Sequence, residues 1–203
     1  MALTLGTRVC VVDDDSAFRR TLEGFLRAAG LEVESFRTPA EFLARPAGNP
    51  AACLVLDLQM PGMSGLEVQE ALARADLSLP IVFVSGTADV RSSVRAMRSG
   101  AVDFLEKPFE GGQLLAAIER AVARAAQERT ERASRDDARA LLARLTPRER
   151  QVCELVAQGL LNKQVAAVVG SSEHTVKVHR ANALQKLGAT SGPDLVRLLD
   201  RAR

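Results

Sequence analysis

The sequence predicts two folded domains of different classes, an α/β domain built on a parallel sheet and a small all-α domain, joined by a helical segment. Short apolar runs alternate with helical patterns through residues 1–123, whereas residues 145–203 contain helical patterns only. The segment between them, residues 124–144, is rich in Ala, Arg and Glu. Charge divides the chain at the same places, because Lys, Arg, Asp and Glu give the three segments net charges of −4, +2 and +4. An acidic and a basic end predict different binding partners.

The alternation of strands and helices in the first domain predicts a parallel sheet covered on both faces, because each right-handed crossover lays its helix against the sheet. The expected topology is a flavodoxin-like, doubly wound, five-stranded sheet with strand order 2-1-3-4-5. The apolar runs place the strands at residues 8–12, 31–36, 53–58, 80–85 and 101–105. The helical patterns place the helices near residues 15–29, 39–45, 64–75, 89–98 and 111–122.

Polar side chains stand where several of these apolar strands end. Asp13 and Asp14 follow the first strand, Asp57 ends the third, Ser85 ends the fourth and Lys107 follows the fifth. Ligands of open α/β sheets bind at the carboxyl edge, at the switch point between strands, here strands one and three. We therefore expect an acidic cluster, a hydroxyl and an ammonium to converge on one crevice.

This combination of groups predicts phosphoryl-transfer chemistry. Carboxylates at close quarters raise one another's pKa unless a cation compensates, and oxygen ligands suit Mg²⁺, which takes one or two carboxylates and keeps several waters. The metal would neutralise an incoming phosphoryl group, so that the carboxylate of Asp57 could attack phosphorus and form an aspartyl phosphate. Lys107 would then pair with one phosphoryl oxygen, and Ser85 would donate a hydrogen bond to another.

Four motifs, "VVDDD", "LVLDLQMPGMSGLE", "IVFVSG" and "AVDFLEKPFE", resemble the receiver domain of bacterial two-component response regulators over residues 7–122. The resemblance implies that Asp57 accepts a phosphoryl group from a sensor histidine kinase. It also implies direct Mg²⁺ ligation by Asp14, Asp57 and the backbone carbonyl of Gln59, with Asp13 acting nearby, often through water.

The same resemblance implies a switch pair, in which Ser85 moves towards the phosphoryl group and Phe104 swings inward. Asp15 has no such role in the family. Its position before the first helix predicts an N-cap, where an anion also meets the positive end of the helix dipole. We therefore expect the third aspartate of the run to be structural.

The segment between the domains contains no large aliphatic or aromatic side chain over residues 123–140. Its Ala, Arg, Glu and Gln residues are strong helix formers, and several Glu and Arg residues are spaced for i, i+4 pairs. These features predict a long, solvent-exposed helix that continues the last helix of the first domain. Ser134, Asp136 and Asp137 are the candidate positions for a break in it. The missing apolar heptad stripe argues against a coiled coil.

The basic end begins with a helix start signal, in which Thr146 is the expected N-cap, Pro147 takes the first helical position and Glu149 follows three residues after the cap. Short helical patterns then cover residues 147–157, 162–169, 172–187 and 193–200. The second and third of these patterns, separated by a turn at Gly170, predict a helix-turn-helix within a four-helix domain.

The predicted helix 172–187 has two distinct faces. The sector expected to face the core contains Val176, Arg180, Ala183, Leu184 and Leu187. The outward sector contains His174, Lys177, Val178, Ala181 and Gln185. On this sector Lys177 could meet guanine acceptors and Val178 a thymine methyl, with His174 and Ala181 beside them. Phosphate contacts are expected from Thr175, His179, Arg180, Asn182 and Lys163.

Two motifs, "LTPRERQVCELVAQGLLNKQVA" and "TVKVHRANALQKLG", are similar to the LuxR-type output domain of the NarL/FixJ response regulators over residues 143–200. The resemblance implies binding to double-stranded promoter operator DNA, RNA polymerase as a further partner, and homodimerisation on phosphorylation. The chain departs from the family at two positions. It has Ser171 where the family usually has an apolar core residue, and Ala181 where some members have a longer, polar side chain. The first departure would loosen the turn, and the second would remove a base contact.

Composition argues against several other classes of protein. No apolar run approaches the roughly 18 residues that a membrane span needs, and the first residues are interpreted as a strand, not as a signal peptide. Cys10, Cys53 and Cys153 are odd in number and lie in apolar contexts, which predicts buried free thiols and a cytoplasmic protein. The two histidines lack cysteine companions for a zinc site.

Three alternative functions can be compared with this prediction. A flavodoxin would surround its flavin with Trp or Tyr, and the chain has neither. A stand-alone aspartyl-phosphate phosphatase would carry a second Asp two residues after the nucleophile, where this chain has Gln59. The third alternative is a phosphorylation-independent transcription factor with a vestigial receiver. The sequence favours a DNA-binding response regulator that is no conventional enzyme, since a receiver catalyses only its own phosphorylation and dephosphorylation.

Overall fold

The computed structural model describes residues 6–46, 51–86 and 90–202. The chain divides into two compact units, Met1–Glu128 and Arg129–Arg203. Within the described residues, no helix is both long enough and apolar enough to cross a membrane.

The first unit contains the predicted five-stranded parallel sheet. Its strands are β1 (Arg8–Val12), β2 (Glu32–Phe36), β3 (Cys53–Asp57), β4 (Ile81–Ser85) and β5 (Asp103–Glu106). Their order in the sheet is β2-β1-β3-β4-β5, and every neighbouring pair is parallel. This order confirms the predicted doubly wound topology and places the ends of β1 and β3 side by side.

Helices follow each strand of this sheet. They are α1 (Ser16–Ala28), α2 (Pro39–Leu43), α3 (Gly65–Arg74), α4 (Val90–Arg98) and α5 (Gly111–Leu142). Their bounds agree with the predicted ones to within two residues, except at the end of α5. The first predicted residue of the fourth helix, residue 89, lies outside the described residues.

Both faces of the sheet are covered by apolar cores. Along β1 the side chains alternate, so that Val9 and Val11 join one core with α1 and α5, whereas Cys10 and Val12 join the other with α2, α3 and α4. All five residues of β3 and all five of β4 are buried. A polar residue at the end of such a strand is therefore surrounded by packed apolar side chains.

Asp15 caps α1, as predicted from its position before the helix. Its carboxylate accepts hydrogen bonds from the backbone N–H groups of Ala17, at 2.8 Å, and Phe18, at 3.2 Å. The Phe18 N–H makes the largest contribution to a pKa of Asp15 that lies below its usual value. The third aspartate of the run is thus held ionised by the helix that it starts.

The helical segment is continuous at the candidate positions for a break, because α5 runs through Ser134, Asp136 and Asp137 to Leu142. Ser and Asp lower helix propensity by at most about 0.7 kcal/mol each relative to Ala, which packing can outweigh. The segment is also not uniformly exposed, since Ala138 and Leu142 are buried in a core of the second unit. The boundary between the units, after residue 128, lies inside the predicted linker 124–144.

The second unit contains four further helices: α6 (Pro147–Ala157), α7 (Asn162–Val169), α8 (Glu173–Leu187) and α9 (Gly192–Arg201). The predicted start of α6 is confirmed, because Thr146 and Glu149 form a reciprocal capping box with Pro at the first helical position. α7 ends at Gly170, whose φ of +62° is the left-handed conformation that Gly favours. The helix-turn-helix therefore consists of α7, this turn and α8.

The turn stays closed despite the polar residue at Ser171. The backbone N–H of Ser171 donates a hydrogen bond to the carbonyl of Ala166 at 3.0 Å, and the Ser171 residue is half-buried. α8 then begins at Ser172, whose hydroxyl accepts from the backbone N–H of Thr175 at 3.0 Å. The predicted loosening at Ser171 is not seen in these contacts, because a backbone hydrogen bond holds one side of the turn and the Ser172 side-chain cap holds the other.

Candidate functional site

The carboxyl edge of the sheet brings together acidic and basic side chains from three strands. Asp13 follows β1, Asp57 ends β3 and Lys107 follows β5. The Lys107 ammonium lies 2.7 Å from Oδ2 of Asp13 and 3.0 Å from Oδ1 of Asp57. Asp13 is 1% exposed and Asp57 6% exposed, so both carboxylates face this ammonium from the end of a buried strand.

The second oxygen of each carboxylate is held by the backbone. Oδ1 of Asp13 accepts a hydrogen bond from the N–H of Asp15 at 2.9 Å, and Oδ2 of Asp57 accepts one from the N–H of Gln59 at 3.1 Å. A buried carboxylate loses its hydration, so these donors and Lys107 replace water as its partners. The arrangement fixes which oxygen of Asp57 faces Lys107.

An aromatic pair that was not predicted from the sequence packs beside Lys107. Its Nζ atom lies 3.9 Å from the centroid of the Phe18 ring, within the range of a cation–π interaction. The rings of Phe18 and Phe109 pack edge to face, with centroids 6.0 Å apart. The backbone N–H of Lys107 also donates to the carbonyl of Ser85 at 2.8 Å. The ammonium is thereby placed by contacts with α1, β4 and the residues before α5.

Burial and charge act against each other on the pKa values of this cluster. Burial raises the pKa of Asp57 above its usual value, although the hydrogen bond and the charge of Lys107 oppose the rise. Burial alone would lower the pKa of Lys107, but its hydrogen bonds to Asp13 and Asp57 raise it above its ordinary value. Lys107 is therefore protonated at neutral pH and supplies the cation that the carboxylates require.

The residues at this edge suit a divalent cation that binds few protein ligands. Among residues 6–46, 51–86 and 90–202 there is no group of three or more His, Cys, Asp or Glu side chains suited to a metal ion. Mg²⁺ does not need one, because one or two carboxylates with a carbonyl and waters suffice. Two buried carboxylates, Asp13 and Asp57, already attract one cation here, so the donor set fits Mg²⁺.

Asp14 differs from its neighbour in exposure. Its side chain is exposed and makes no hydrogen bond or ion pair within the part of the chain that the structure describes, whereas Asp13 is buried against Lys107. The two aspartates therefore point into different surroundings. Asp13 is part of the buried ion-pair cluster, and Asp14 presents a solvated carboxylate beside it.

Ser85 and Phe104 occupy neighbouring strands near this edge. Ser85 is 1% exposed and ends β4, where it is paired in register with Glu106 of β5. Phe104, two residues earlier on β5, is half-buried and lies 6.5 Å from Phe83, measured between ring centroids. The hydroxyl and the ring thus come from adjacent strands.

Arg19 is a further residue at this edge that sequence reasoning missed. Its guanidinium donates a hydrogen bond to the backbone carbonyl of Asp13 at 2.5 Å. Arg19 and Phe18 both lie in the first turns of α1, directly after the aspartate run. Their proximity to Asp13 in the sequence could have indicated a role at this edge. The direction of their side chains, however, depends on the orientation of α1 relative to the sheet.

α8 presents the two faces that its sequence predicts. Val176, Ala183 and Leu187 are buried, and Leu184 and Arg180 are half-buried. The residues of the predicted outward sector are all exposed: His174, Lys177, Val178, Ala181 and Gln185. Val178 is 44% exposed, which leaves a large apolar side chain in water next to a cation. An exposed Val beside Lys suits the mixed apolar and polar edge of a base pair.

Two residues of α8, Lys177 on the outward sector and Arg180 on the core-facing sector, make polar contacts with neighbouring side chains. Lys177 forms an i, i+4 ion pair with Glu173 at 3.3 Å. Arg180 donates to the side-chain oxygen of Asn162 on α7 at 3.2 Å, next to the exposed Lys163. Arg180 is therefore partly engaged within the unit while its neighbour Lys163 is solvated.

The remaining predicted phosphate contacts are spread around the same helix. Asn182 is exposed, whereas His179 and Thr175 are half-buried. The Thr175 hydroxyl lies 2.8 Å from the hydroxyl of the N-cap Ser172. Along the chain these residues alternate with those of the outward sector.

Comparisons with known proteins match two parts of the chain to two families. Residues 9–119 match the family of the response regulator receiver domain, and residues 143–199 match the bacterial regulatory proteins of the luxR family. The chain is 44% identical over 190 residues to nodulation protein W of Bradyrhizobium diazoefficiens, which covers 94% of this chain and 84% of that protein. It is 40% identical over 200 residues to the transcriptional regulatory protein FixJ of the same organism, covering 98% of each chain.

Solved structures give the same result. The response regulator StyR superposes with a TM-score of 0.79 and 46% identity, covering 96% of this chain and 98% of that one. Full-length FixJ from B. japonicum superposes with a TM-score of 0.61 and 41% identity, covering 98% of each chain. Members of this family are transcription factors and not conventional enzymes. The chain belongs to the NarL/FixJ family of two-component response regulators, which join a receiver domain to a LuxR-type DNA-binding domain.

Proposed function

We propose that Asp57 is the phosphoacceptor of this response regulator and that its phosphorylation controls DNA binding by the face of α8. The observation that carries the proposal is the placement of Asp57 at the end of a buried strand, 3.0 Å from the Lys107 ammonium and beside Asp13. A carboxylate in this position is oriented by its hydrogen bonds, is paired with a cation and lies at the sheet edge where ligands of such sheets bind.

Receiver domains generally use Mg²⁺ for phosphorylation. In this chain Asp13, Asp14, Asp57 and the backbone carbonyl of Gln59 would hold the ion. Bound there, it would reduce the negative charge on the incoming phosphoryl group. The exposed carboxylate of Asp14 suits this role because it can take up a ligand without breaking an existing contact.

The side chains of the cluster divide the chemistry between them. A carboxylate oxygen of Asp57 attacks phosphorus while the bond from phosphorus to the donor's leaving group breaks. The Lys107 ammonium, which contacts this carboxylate before the reaction, then pairs with an oxygen of the transferred group. Phe18 keeps the ammonium at this position through its ring.

Ser85 and Phe104 would transmit the effect of Asp57 phosphorylation to the surface of the receiver domain. The Ser85 hydroxyl would donate a hydrogen bond to a phosphoryl oxygen, and its movement would leave space into which the half-buried Phe104 turns. This change would reshape the surface formed by α4, β5 and α5 and favour a two-fold dimer, the arrangement that matches paired half-sites on DNA.

On α8, Lys177 and Val178 would contact base edges in the major groove, with His174 and Ala181 beside them. Thr175, His179, Arg180, Asn182 and Lys163 would contact phosphates. The positive net charge of residues 145–203 supports this assignment, because phosphate contacts depend on Lys and Arg.

A response regulator of this kind implies a cognate histidine kinase and DNA binding. We further expect that RNA polymerase is a partner at the promoter and that the protein acts in the cytoplasm. The buried, free thiols of Cys10, Cys53 and Cys153 are consistent with a reducing compartment.

The test combines phosphorylation with selection of DNA. Wild type and Asp57→Ala are incubated with acetyl phosphate and Mg²⁺ and analysed on a phosphate-affinity gel, where only wild type should shift. Genomic fragments bound by each protein, with and without treatment, are then sequenced. Equal phosphorylation of Asp57→Ala would contradict the phosphoacceptor. Identical DNA recovery with and without treatment would instead favour a transcription factor that does not depend on phosphorylation.

A further inference from the structure

A buried carboxylate joins the start of α6 to the end of α8. Glu149 is 4% exposed, and the Lys186 ammonium donates to its Oε1 at 2.9 Å and to its Oε2 at 2.7 Å. Oε2 also accepts from the backbone N–H of Thr146 at 2.8 Å. The hydrogen bond from Lys186 is the main reason that the pKa of Glu149 lies below its usual value.

The neighbouring residue makes a second connection from the same turn of α6. The Arg148 guanidinium donates a hydrogen bond to the carbonyl of Val169, the last residue of α7. The first turn of α6 thus holds both helices of the helix-turn-helix at their carboxyl ends. Arg148 acts on α7 and Glu149 acts on α8.

Only the carboxylate of this ion pair is removed from water, because Glu149 is buried whereas the Lys186 side chain is 38% exposed. Removing a carboxylate from water carries a large desolvation penalty, and an apolar pair of similar size often gives equal or greater stability. What an ion pair adds is geometry, because two charge-assisted hydrogen bonds to one ammonium fix its position more closely than apolar packing does. The Glu149–Lys186 pair is therefore better suited to fixing α8 than to raising stability.

We infer that Glu149 is a positioning residue for DNA recognition, which acts through Lys186 to fix the angle at which α8 presents Lys177 and Val178. The inference rests on the proposed role of the α8 face. Base contacts depend on the placement of side-chain donors and acceptors against one base pair, whereas the electrostatic attraction to phosphates does not depend on sequence and supplies non-specific binding. Loss of Glu149 should therefore reduce specificity more than it reduces general DNA affinity.

The experiment uses the full chain, treated identically with acetyl phosphate and Mg²⁺, and two labelled duplexes. One duplex is the sequence selected by wild type from genomic fragments, and the other has the same length and a scrambled sequence. Affinity for each is measured across a salt series at a temperature where circular dichroism shows every variant folded. The variants are Glu149→Gln, Lys186→Gln and, as a matched control, Glu154→Gln. Glu154 lies on the same helix in an exposed ion pair with Arg150 at 3.2 Å.

For Glu149→Gln we expect affinity for the selected duplex to fall by about 10-fold, the equivalent of one base contact. Affinity for the scrambled duplex and the salt dependence of binding should stay within about 2-fold of wild type. Lys186→Gln should show the same pattern, and because Lys186 is half-exposed this variant supplies the test if Glu149→Gln does not fold. Glu154→Gln should bind like wild type.

The outcomes separate this inference from the proposed function. Equal losses on both duplexes in the folded Glu149 and Lys186 variants would indicate a merely structural role and overturn the inference, while the proposed function would stand. A wild type that binds no DNA, or that binds the selected and scrambled duplexes equally, would contradict the proposed function and this inference with it.

Discussion

Gly65 packs so closely against Asp57 that a Cβ atom added to Gly65 would lie 2.4 Å from the Asp57 carbonyl oxygen. The same atom would lie 2.9 Å from the ring of Phe83. The contact joins the start of α3 to the end of β3, and the N–H of Gly65 donates to the carbonyl of Leu58 at 2.9 Å. The backbone that carries the proposed phosphoacceptor therefore depends on a residue without a side chain.

Gly65→Ala should lower the free energy of unfolding by about 1–3 kcal/mol, because the added methyl group must displace backbone or ring atoms. It should also slow phosphorylation by acetyl phosphate, since Asp57 shifts with its carbonyl. Gly24→Ala is the matched control: Gly24 lies inside α1 with open space at its Cβ position, so Ala should raise stability by about 0.5–1 kcal/mol. Urea unfolding and a phosphorylation time course measure both effects. Wild-type stability of Gly65→Ala would contradict the close contact.

Removing the exposed carboxylate of Asp14 should weaken Mg²⁺ binding without unfolding the protein. In Asp14→Asn we expect phosphorylation to require much more Mg²⁺, while stability stays within about 0.5 kcal/mol of wild type, as for most surface substitutions. Asp15→Asn is the matched control because it removes the same charge one residue away and keeps a side chain that caps helices well. The measurement is the phosphorylation rate as a function of Mg²⁺ concentration. If both variants respond to Mg²⁺ like wild type, Asp14 is no metal ligand.

Acidification should loosen the start of α9. Oδ2 of Asp194 accepts hydrogen bonds from the Ser191 hydroxyl at 2.7 Å and from the Thr190 hydroxyl at 2.8 Å, and these contacts hold the pKa of Asp194 well below its ordinary 3.8. A pKa that is lowered on folding contributes stability that is complete above pH 3.8 and is lost as the pH falls below it towards the folded-state pKa.

Hydrogen exchange of the α9 amides provides the measurement for this dependence on pH. Asp194→Asn should exchange faster than wild type near neutral pH, and the difference should shrink as the pH falls below the ordinary pKa of Asp. A difference that persists unchanged in acid would mean that the charge of Asp194 is not the cause.

The sheet could be predicted from the sequence because its strands are short apolar runs, each ended by a distinctive polar residue. The order of Asp13, Asp57 and Lys107 along three strands was enough to place them at one edge. Which aspartate contacts Lys107 could not be predicted, because adjacent residues of a loop differ in direction. Only the structure distinguishes the buried Asp13 from the exposed Asp14.

Contacts between distant parts of the chain escaped the sequence analysis for a different reason. Local sequence patterns do not show which distant residues come into contact. The contacts of Phe18 with Lys107 and of Glu149 with Lys186 join residues that are far apart in the sequence. Whether α5 breaks near Ser134 could not be predicted, because helix propensity is a weak effect that burial of Ala138 and Leu142 outweighs.

An apolar stripe on α4 should contribute to dimerisation of the phosphorylated protein. Val90, Val94 and Met97 are spaced for one helix face and are 77%, 43% and 45% exposed. Val94→Asp should leave phosphorylation intact but prevent the rise in mass on phosphorylation, because a charge at the centre of the stripe would have to be buried. Leu77→Asp is the control, because Leu77 is an exposed apolar residue that follows α3 and is not part of the α4 stripe. The measurement is the sedimentation mass with and without acetyl phosphate. An increase in mass for Val94→Asp equal to that of wild type would exclude the α4 stripe from the dimer interface.

The two kinds of proposed DNA contact on α8 should respond differently to mutation. Lys177→Ala should cost about 1–3 kcal/mol of affinity for the selected duplex and relax the preference at one base position. Arg180→Ala and Lys163→Ala should weaken binding to all sequences alike and reduce its salt dependence, since phosphate contacts work by releasing counterions. Glu173 pairs with Lys177 in the free protein, so Glu173→Gln should strengthen binding by freeing the ammonium.

Affinity for selected and scrambled duplexes across a salt series separates these effects. Loss of a base contact changes the ratio of the two affinities. Loss of a phosphate contact instead changes the slope with which both affinities fall as the salt concentration rises. Val168→Ala provides a control, because Val168 is exposed on α7 and has no proposed contact with DNA. If Lys177→Ala lowers both affinities equally and leaves their ratio unchanged, Lys177 contacts phosphate, and the base-reading face of α8 must be assigned to other residues.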